Sequence, residues 1–185
     1  MRAVHCILAV CLAALSREAT AACRWQAVQD GSELSFTATY AGQAMTGRFS
    51  SFDVAIDCDP GGRPTALLVS VDTGSADMQD DEANAELQQP DWFDVSKFPR
   101  ASYRSEHIAP AGAAYLATGH LTLKGLQVEL QLPFDWQVDG DAAVLEGEVE
   151  LSRTRWHVGS GEWATDTDLA DAVAVRYRVQ LVRGE

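Results

Sequence analysis

Along much of the chain, apolar and polar residues take turns. Leu34, Phe36, Ala38 and Tyr40 alternate with Ser35, Thr37 and Thr39, the two-residue period of a half-buried strand. Tyr115, Ala117, Gly119, Leu121 and Leu123 share one strand face, with Gly125 at the turn that follows. Val128, Leu130, Leu132, Phe134, Trp136 and Val138 share the next, and Asp139-Gly140-Asp141 supplies another turn. Leu145, Gly147, Val149 and Leu151 alternate with Glu146, Glu148 and Glu150, which the pattern turns toward water. Val173, Val175, Tyr177, Val179 and Leu181 do the same against Arg176, Arg178 and Gln180. Earlier, Gly42 and Gly47 punctuate the approach to Phe49, Phe52, Val54 and Ile56, and Asp59-Pro60-Gly61-Gly62 is a turn. The β-branched run from Ala66 to Thr73 is a further strand. Gln79 to Gln88 predicts a short surface helix, stopped before Pro90.

About eight strands result, mostly joined by tight turns, and neighbours joined that way pair antiparallel. Eight is the size at which a closed barrel holds either packed side chains or one small ligand. Several strands of ten residues or more would span roughly 33 Å. A two-sheet sandwich is the competing architecture, with shorter strands as a rule. The expected fold is therefore all-β: an elongated, eight-stranded antiparallel barrel with one short helical insertion. Between Pro90 and Pro99, Trp92, Phe93 and Phe98 crowd into a turn-rich segment where polar residues are the norm. Such a segment is a plug or hinge that sends large rings into a core.

The first residues carry a secretory pattern. Arg2 and His5 precede an apolar run from Cys6 to Leu15, and Ala19-Thr20-Ala21-Ala22 offers a small-residue cleavage region. That run is well short of the roughly twenty residues that span a bilayer. Residues 1–22 are thus expected to be a signal peptide and residues 23–185 one barrel domain, placed in the periplasm or secreted. Cys23 and Cys58 are then the only mature cysteines, and in an oxidising compartment two cysteines pair. A lipidated Cys23 is the alternative, although Thr20-Ala21-Ala22 lacks the Leu-like residue expected three places earlier. The chain has 14 basic and 27 acidic residues; removing Arg2, Arg17 and Glu18 leaves 12 and 26, a net charge of −14. That is a poor surface for nucleic acid or anionic headgroups.

The ordered residues resemble the YceI-like family. The pattern runs through Trp25, Ser35-Phe36, Gly47-Arg48-Phe49, Phe52, Val69-Ser70-Val71 and Ser75. It continues with Trp92-Phe93-Asp94-Val95, Phe98-Pro99, Tyr103-Arg104-Ser105, Gly119 to Gly125 and Leu132-Pro133-Phe134. The resemblance implies a lipocalin-like barrel with an apolar tunnel, in an exported protein that sequesters or carries an isoprenoid-type lipid, polyprenyl or quinone. It also implies transient contact with a membrane b-type cytochrome. Two departures stand out. Gly31-Ser32 (or Glu33-Leu34-Ser35) lacks the histidine of the family's His-Ser pair, and Arg155-Trp156-His157-Val158-Gly159 replaces its Arg-aromatic-Asp-Phe-Gly motif.

The rings of Phe36, Tyr40, Phe49, Phe52, Phe93, Phe98, Tyr103, Phe134, Trp136 and Trp156 either fill a packed barrel or line a tunnel. Residues alone favour filling; the resemblance implies lining, with Val69, Val71, Leu121, Leu123, Leu132 and Tyr177 as further walls. Each buried methylene contributes ~0.8 kcal/mol, so ten would supply a gross ~8 kcal/mol, which is micromolar affinity before ordering costs. No catalytic group and no cofactor is required. His107, His120 and His157 are scattered without a metal-ligand spacing; His157, beside Trp156, is expected to offer at most a head-group hydrogen bond. Asp77, Asp80, Asp81, Glu82 and Glu86 lack the spacing of a calcium loop and form a charged helix face. No Gly-x-Ser-x-Gly elbow, phosphate loop or dinucleotide motif is present. The rival function is a non-catalytic accessory protein with a filled barrel whose acidic exterior meets a membrane redox partner.

Overall fold

The computed structural model describes residues 23–164 and 167–184, so the signal-like residues 1–22 lie outside the described residues. Among the described residues, ten strands and one α-helix follow one another. They are β1 (Cys23–Tyr40), β2 (Gln43–Phe49), β3 (Phe52–Cys58), β4 (Pro64–Asp72), β5 (Ala76–Asp77), α1 (Asp81–Leu87), β6 (Arg100–Ala111), β7 (Ala114–Leu123), β8 (Leu126–Asp139), β9 (Ala142–Ser152) and β10 (Leu169–Arg183). All pairings are antiparallel, and β10 returns to pair with β1, which closes the sheet.

Ten strands make eight wall positions. β2 pairs with the second half of β1 and β3 with its first residues, so β2 and β3 are one wall strand interrupted at Ser50-Ser51. β4 and β5 are likewise one path, pairing with β3 and β2 on either side of a 3₁₀ turn at Thr73–Ser75. Asp72 accepts from the Gly74 N–H at 2.9 Å and begins that turn. The expected elongated eight-stranded barrel is what the chain forms.

β1 begins eleven residues before the alternation at Leu34 suggests. The pattern breaks because β1 carries a bulge: Val28 pairs with Gln180 and Glu33 with Arg178, so residues 29–32 face a single residue of β10. Gly31 takes the left-handed conformation there (φ +75°). Ser32 donates its hydroxyl to the Val28 carbonyl (2.5 Å) and accepts from the Gln180 N–H (2.9 Å). Gly47 is no turn residue. It lies buried inside β2, where a Cβ would strike the Phe36 ring and the Met78 sulfur. α1 spans Asp81–Leu87, shorter than 79–88, because Asp80 leaves the helix and caps it by accepting from Ala83 N–H at 2.9 Å.

The two ends of the barrel differ. At the end that holds Cys23, the first described residue, only short turns join the strands, and side chains fill the interior. Trp25 meets Trp136 edge-on at 5.7 Å, Tyr115 stacks on Phe134 at 5.6 Å, and the Arg183 guanidinium covers Trp25 at 4.6 Å. The disulfide Cys23–Cys58 (Cα–Cα 5.2 Å) ties β1 to β3 there. The opposite end is covered by α1, the turns that follow it, and the segment after β9; Leu87, Phe93, Trp156 and Val158 pack with Phe36 beneath them.

Among the described residues, pairing in the wall is interrupted in several places, for example along residues 27–34 of β1 on its β2–β3 side, and most extensively between β8 and β9. β8 pairs with β7 from Leu126 to Phe134 and with β9 only from Asp135 to Asp139. β9 stays with β10 along its whole length, from Ala142 to Ser152. Toward the covered end, β8 and β9 therefore part.

Candidate functional site

An apolar cavity of about 210 Å³ runs from mid-barrel to the covered end. Inward-facing residues of the wall strands form its sides, and Leu87, Trp92, Phe93, Trp156 and Val158 form its roof. Of the sixteen residues expected to contact ligand, Phe36, Phe49, Phe52, Val69, Val71, Phe93, Tyr103, Leu121, Leu123, Leu132, Trp156 and Tyr177 line it. Four do not. Phe134 and Trp136 belong to the filled end. Tyr40 is 39 % exposed and packs on Trp163 at 5.7 Å, outside the roof. Phe98 lies over Gly125, where a Cβ would meet its ring, and so pins the segment after α1 onto the β7–β8 turn.

The reason is geometric. A two-residue period fixes which face a side chain occupies and leaves its depth along the axis open. Register sets depth, and it sends Phe36 and Phe134 toward opposite ends. The residues that sequence reasoning missed include Leu87, Arg153, Val158 and Leu169. Arg153 was legible in principle, because it continues the inward series Leu145, Gly147, Val149, Leu151.

Polar side chains that face the cavity spend their hydrogen bonds on the main chain. Thr73 donates to the Phe98 carbonyl at 2.8 Å. The Tyr103 phenol donates to the carbonyl of Ala117 at 3.0 Å, and burial pushes its pKa up to about 12. The Tyr177 phenol donates to the Pro133 carbonyl. Burial raises its pKa too, helped by Tyr103, Asp135 and Glu148. Arg153 is 4 % exposed and donates to the carbonyls of Ala170, Val158, Gly159, Trp163 and Leu169 at 2.7–3.0 Å. It straps the segment between β9 and β10 across the roof.

His157 does not reach the cavity. It is exposed, adopts the left-handed conformation (φ +55°), and its carbonyl accepts from Lys124 at 2.7 Å. His120 lies on the outer face beside Glu106 at 3.2 Å, and His107 is exposed. Of the acidic cluster, Asp77 accepts from Gln79 and Asn84 and pairs with Arg48, Asp80 caps α1, and Glu86 accepts from the Trp92 indole at 3.0 Å. On β9, Glu146 and Glu148 face outward and pair with Arg178 and Arg176.

Comparison with known proteins agrees with this geometry. The family model described as the YceI-like domain matches residues 25–181. The crystal structure of Burkholderia cenocepacia BcnA superposes with a TM-score of 0.79 at 27 % identity, covering 83 % of this chain and 98 % of that one. A polyisoprenoid binding domain from Saccharophagus degradans superposes at 0.70 with 12 % identity, covering 86 % of this chain and 98 % of that one. A UPF0312 protein of Vibrio cholerae is 32 % identical over 83 residues, 44 % of this chain and 44 % of that relative's length.

Proposed function

This chain belongs to the YceI-like family, and we propose that its barrel binds the chain of an isoprenoid-type lipid, polyprenyl or quinone, and performs no chemistry on it. The observation that carries this reading is the apolar cavity, whose inward-facing polar side chains are already occupied by main-chain carbonyls. Such walls recognise a hydrocarbon by burial. A structural neighbour described as polyisoprenoid binding supports the ligand class. The cavity also speaks against the rival reading, in which the barrel is filled throughout.

At about 210 Å³, the cavity falls below the ~300–1,000 Å³ of drug-sized pockets. A long prenyl chain is therefore held in part, with its remainder outside or admitted by movement of the roof. The disulfide Cys23–Cys58 fits an oxidising compartment, and we place the protein in the periplasm or outside the cell, as sequestering agent or carrier.

Native mass spectrometry of protein purified from its own host, with lipid extraction of any adduct, tests this. A stoichiometric prenyl lipid is the expected result. A bare protein mass, with no binding of added quinones or prenyl alcohols, overturns it in favour of the accessory protein.

A further inference from the structure

Where β8 and β9 part, the cavity meets unpaired strand edges. Pro133 marks the point: having no N–H, it cannot continue the ladder, and its carbonyl takes the Tyr177 phenol instead. Main-chain groups of alternate residues point to opposite sides of an antiparallel strand. Those with the parity of Pro133, Glu129 and Gln131 among them, therefore face β9, while Glu148 and Glu150 face β8. The β8–β9 register ends at Asp135↔Glu146, so among the described residues no ladder pairing joins 127–133 to 147–152. Leu130 and Leu132 on one side of this seam, and Val149 and Leu151 on the other, line the cavity.

Resting on the lipid-binding reading, we propose that the β8–β9 seam is the head-group site: the prenyl tail lies in the cavity and an uncharged polar head, a quinone carbonyl or a prenol hydroxyl, sits at the seam on main-chain N–H and C=O groups. Two observations direct the head there. Inside the cavity, Thr73, Tyr103, Tyr177 and Arg153 are all engaged with carbonyls, whereas the seam offers a run of unspent donors and acceptors on the cavity's boundary. The cavity, at about 210 Å³, is also too small to enclose a long ligand, so one end of it leaves the cavity.

The outer rim sets the class of head. Glu129, Asp135 and Glu150 are exposed there and have no basic partner among the described residues. Arg176 and Arg178, the nearby cations, are already paired with Glu148 and Glu146. A prenyl phosphate would bring its charge against this rim, whereas a neutral head would not.

The test titrates the disulfide-intact protein with geranylgeraniol and with geranylgeranyl phosphate, and follows amide hydrogen exchange in parallel. The wild type is expected to bind the alcohol roughly ten-fold or more tightly than the phosphate. Glu129→Lys/Glu150→Lys should shift that ratio toward the phosphate, and alcohol binding should slow exchange at the Glu129, Gln131 and Glu150 amides. Alcohol binding with unchanged exchange at those amides overturns the seam as head-group site while leaving the lipid reading intact. A ratio that the double lysine variant does not move overturns the role of the rim. Binding of neither ligand to either protein overturns the lipid reading itself, and the head-group site with it.

Discussion

The phenol of Tyr177, on β10, reaches past β9 to donate to the carbonyl of Pro133 on β8. Gly147 makes the reach possible. A Cβ at that position would collide with the Pro133 oxygen and with the Tyr177 hydroxyl and ring. Three strands are thus joined by one side chain at the place where the β8–β9 ladder stops, so the gap is a built feature of the wall.

Gly147→Ala should therefore cost more than a surface glycine. One of the atoms in the way is a backbone oxygen and the others belong to a buried ring, so neither can swing aside. We expect a loss of about 1–3 kcal/mol, the usual cost of overpacking, read as a lower urea midpoint at unchanged slope. Gly140→Ala is the control, since nothing lies within 4 Å of its added Cβ. It should show only the smaller cost of its left-handed φ.

Stability should fall at alkaline pH for a traceable reason. Burial raises the pKa of Tyr103 to about 12 and moves Tyr177 in the same direction. A folded pKa above the unfolded value of ~10 means that the neutral phenols stabilise the fold. That contribution is fully present below about pH 10 and is lost as pH rises toward and through the folded values. Urea midpoints at increasing pH should drop above about pH 10, and Tyr103→Phe/Tyr177→Phe should flatten the drop. An equal drop in the double variant would assign it to other groups.

Much of the barrel was legible because most wall strands obey a strict two-residue period, and Glu146, Glu148 and Glu150 faced outward as that period requires. What it could not supply was depth. Phe134 and Trp136 share a face with Leu130 and Leu132, yet they fill the closed end while Leu130 and Leu132 line the cavity. Nor could periodicity find the first half of β1, where the bulge at residues 29–32 erases the alternation. The parting of β8 and β9 left only one sequence trace, Pro133, and a single proline in a strand does not say on which side pairing stops.

The disulfide closes a loop of sequence separation 35, which in the chain-entropy model stabilises the fold by about 4 kcal/mol. Cys23→Ser/Cys58→Ser should lose about 2–4 kcal/mol in chemical denaturation. Ligand affinity should be nearly unchanged, because the bridge sits at the filled end, away from the cavity. A large loss of affinity at temperatures where the variant is folded would contradict the separation of the two ends.

Phe93 and Phe98 are five residues apart and should behave differently. Phe93 is buried in the roof and faces the cavity, so Phe93→Ala should lose about 3–5 kcal/mol and weaken ligand binding in step. Phe98 clamps Gly125 from outside, so Phe98→Ala should lower the melting temperature while affinity measured well below that temperature stays close to wild type. Calorimetry with ligand titration on both variants separates the two roles.

Filling the cavity is the most direct challenge to the site. Val69 lines it from β4, paired with Val54 on one side and Tyr103 on the other, and is only partly buried, so space lies in front of it. Val69→Phe adds a ring on that side. Where a ring fits into existing space, filling stabilises by about 0.5–2 kcal/mol; where it forces neighbours off their rotamers it costs about 1–3 kcal/mol. The expected outcome is a melting temperature equal to or above wild type, with affinity for prenyl alcohol reduced at least several-fold. The two readouts must be taken on the same preparation. Lost affinity with a lowered melting temperature would mean only that the barrel was distorted. Full affinity at a preserved melting temperature would show that the ligand binds elsewhere than in this cavity.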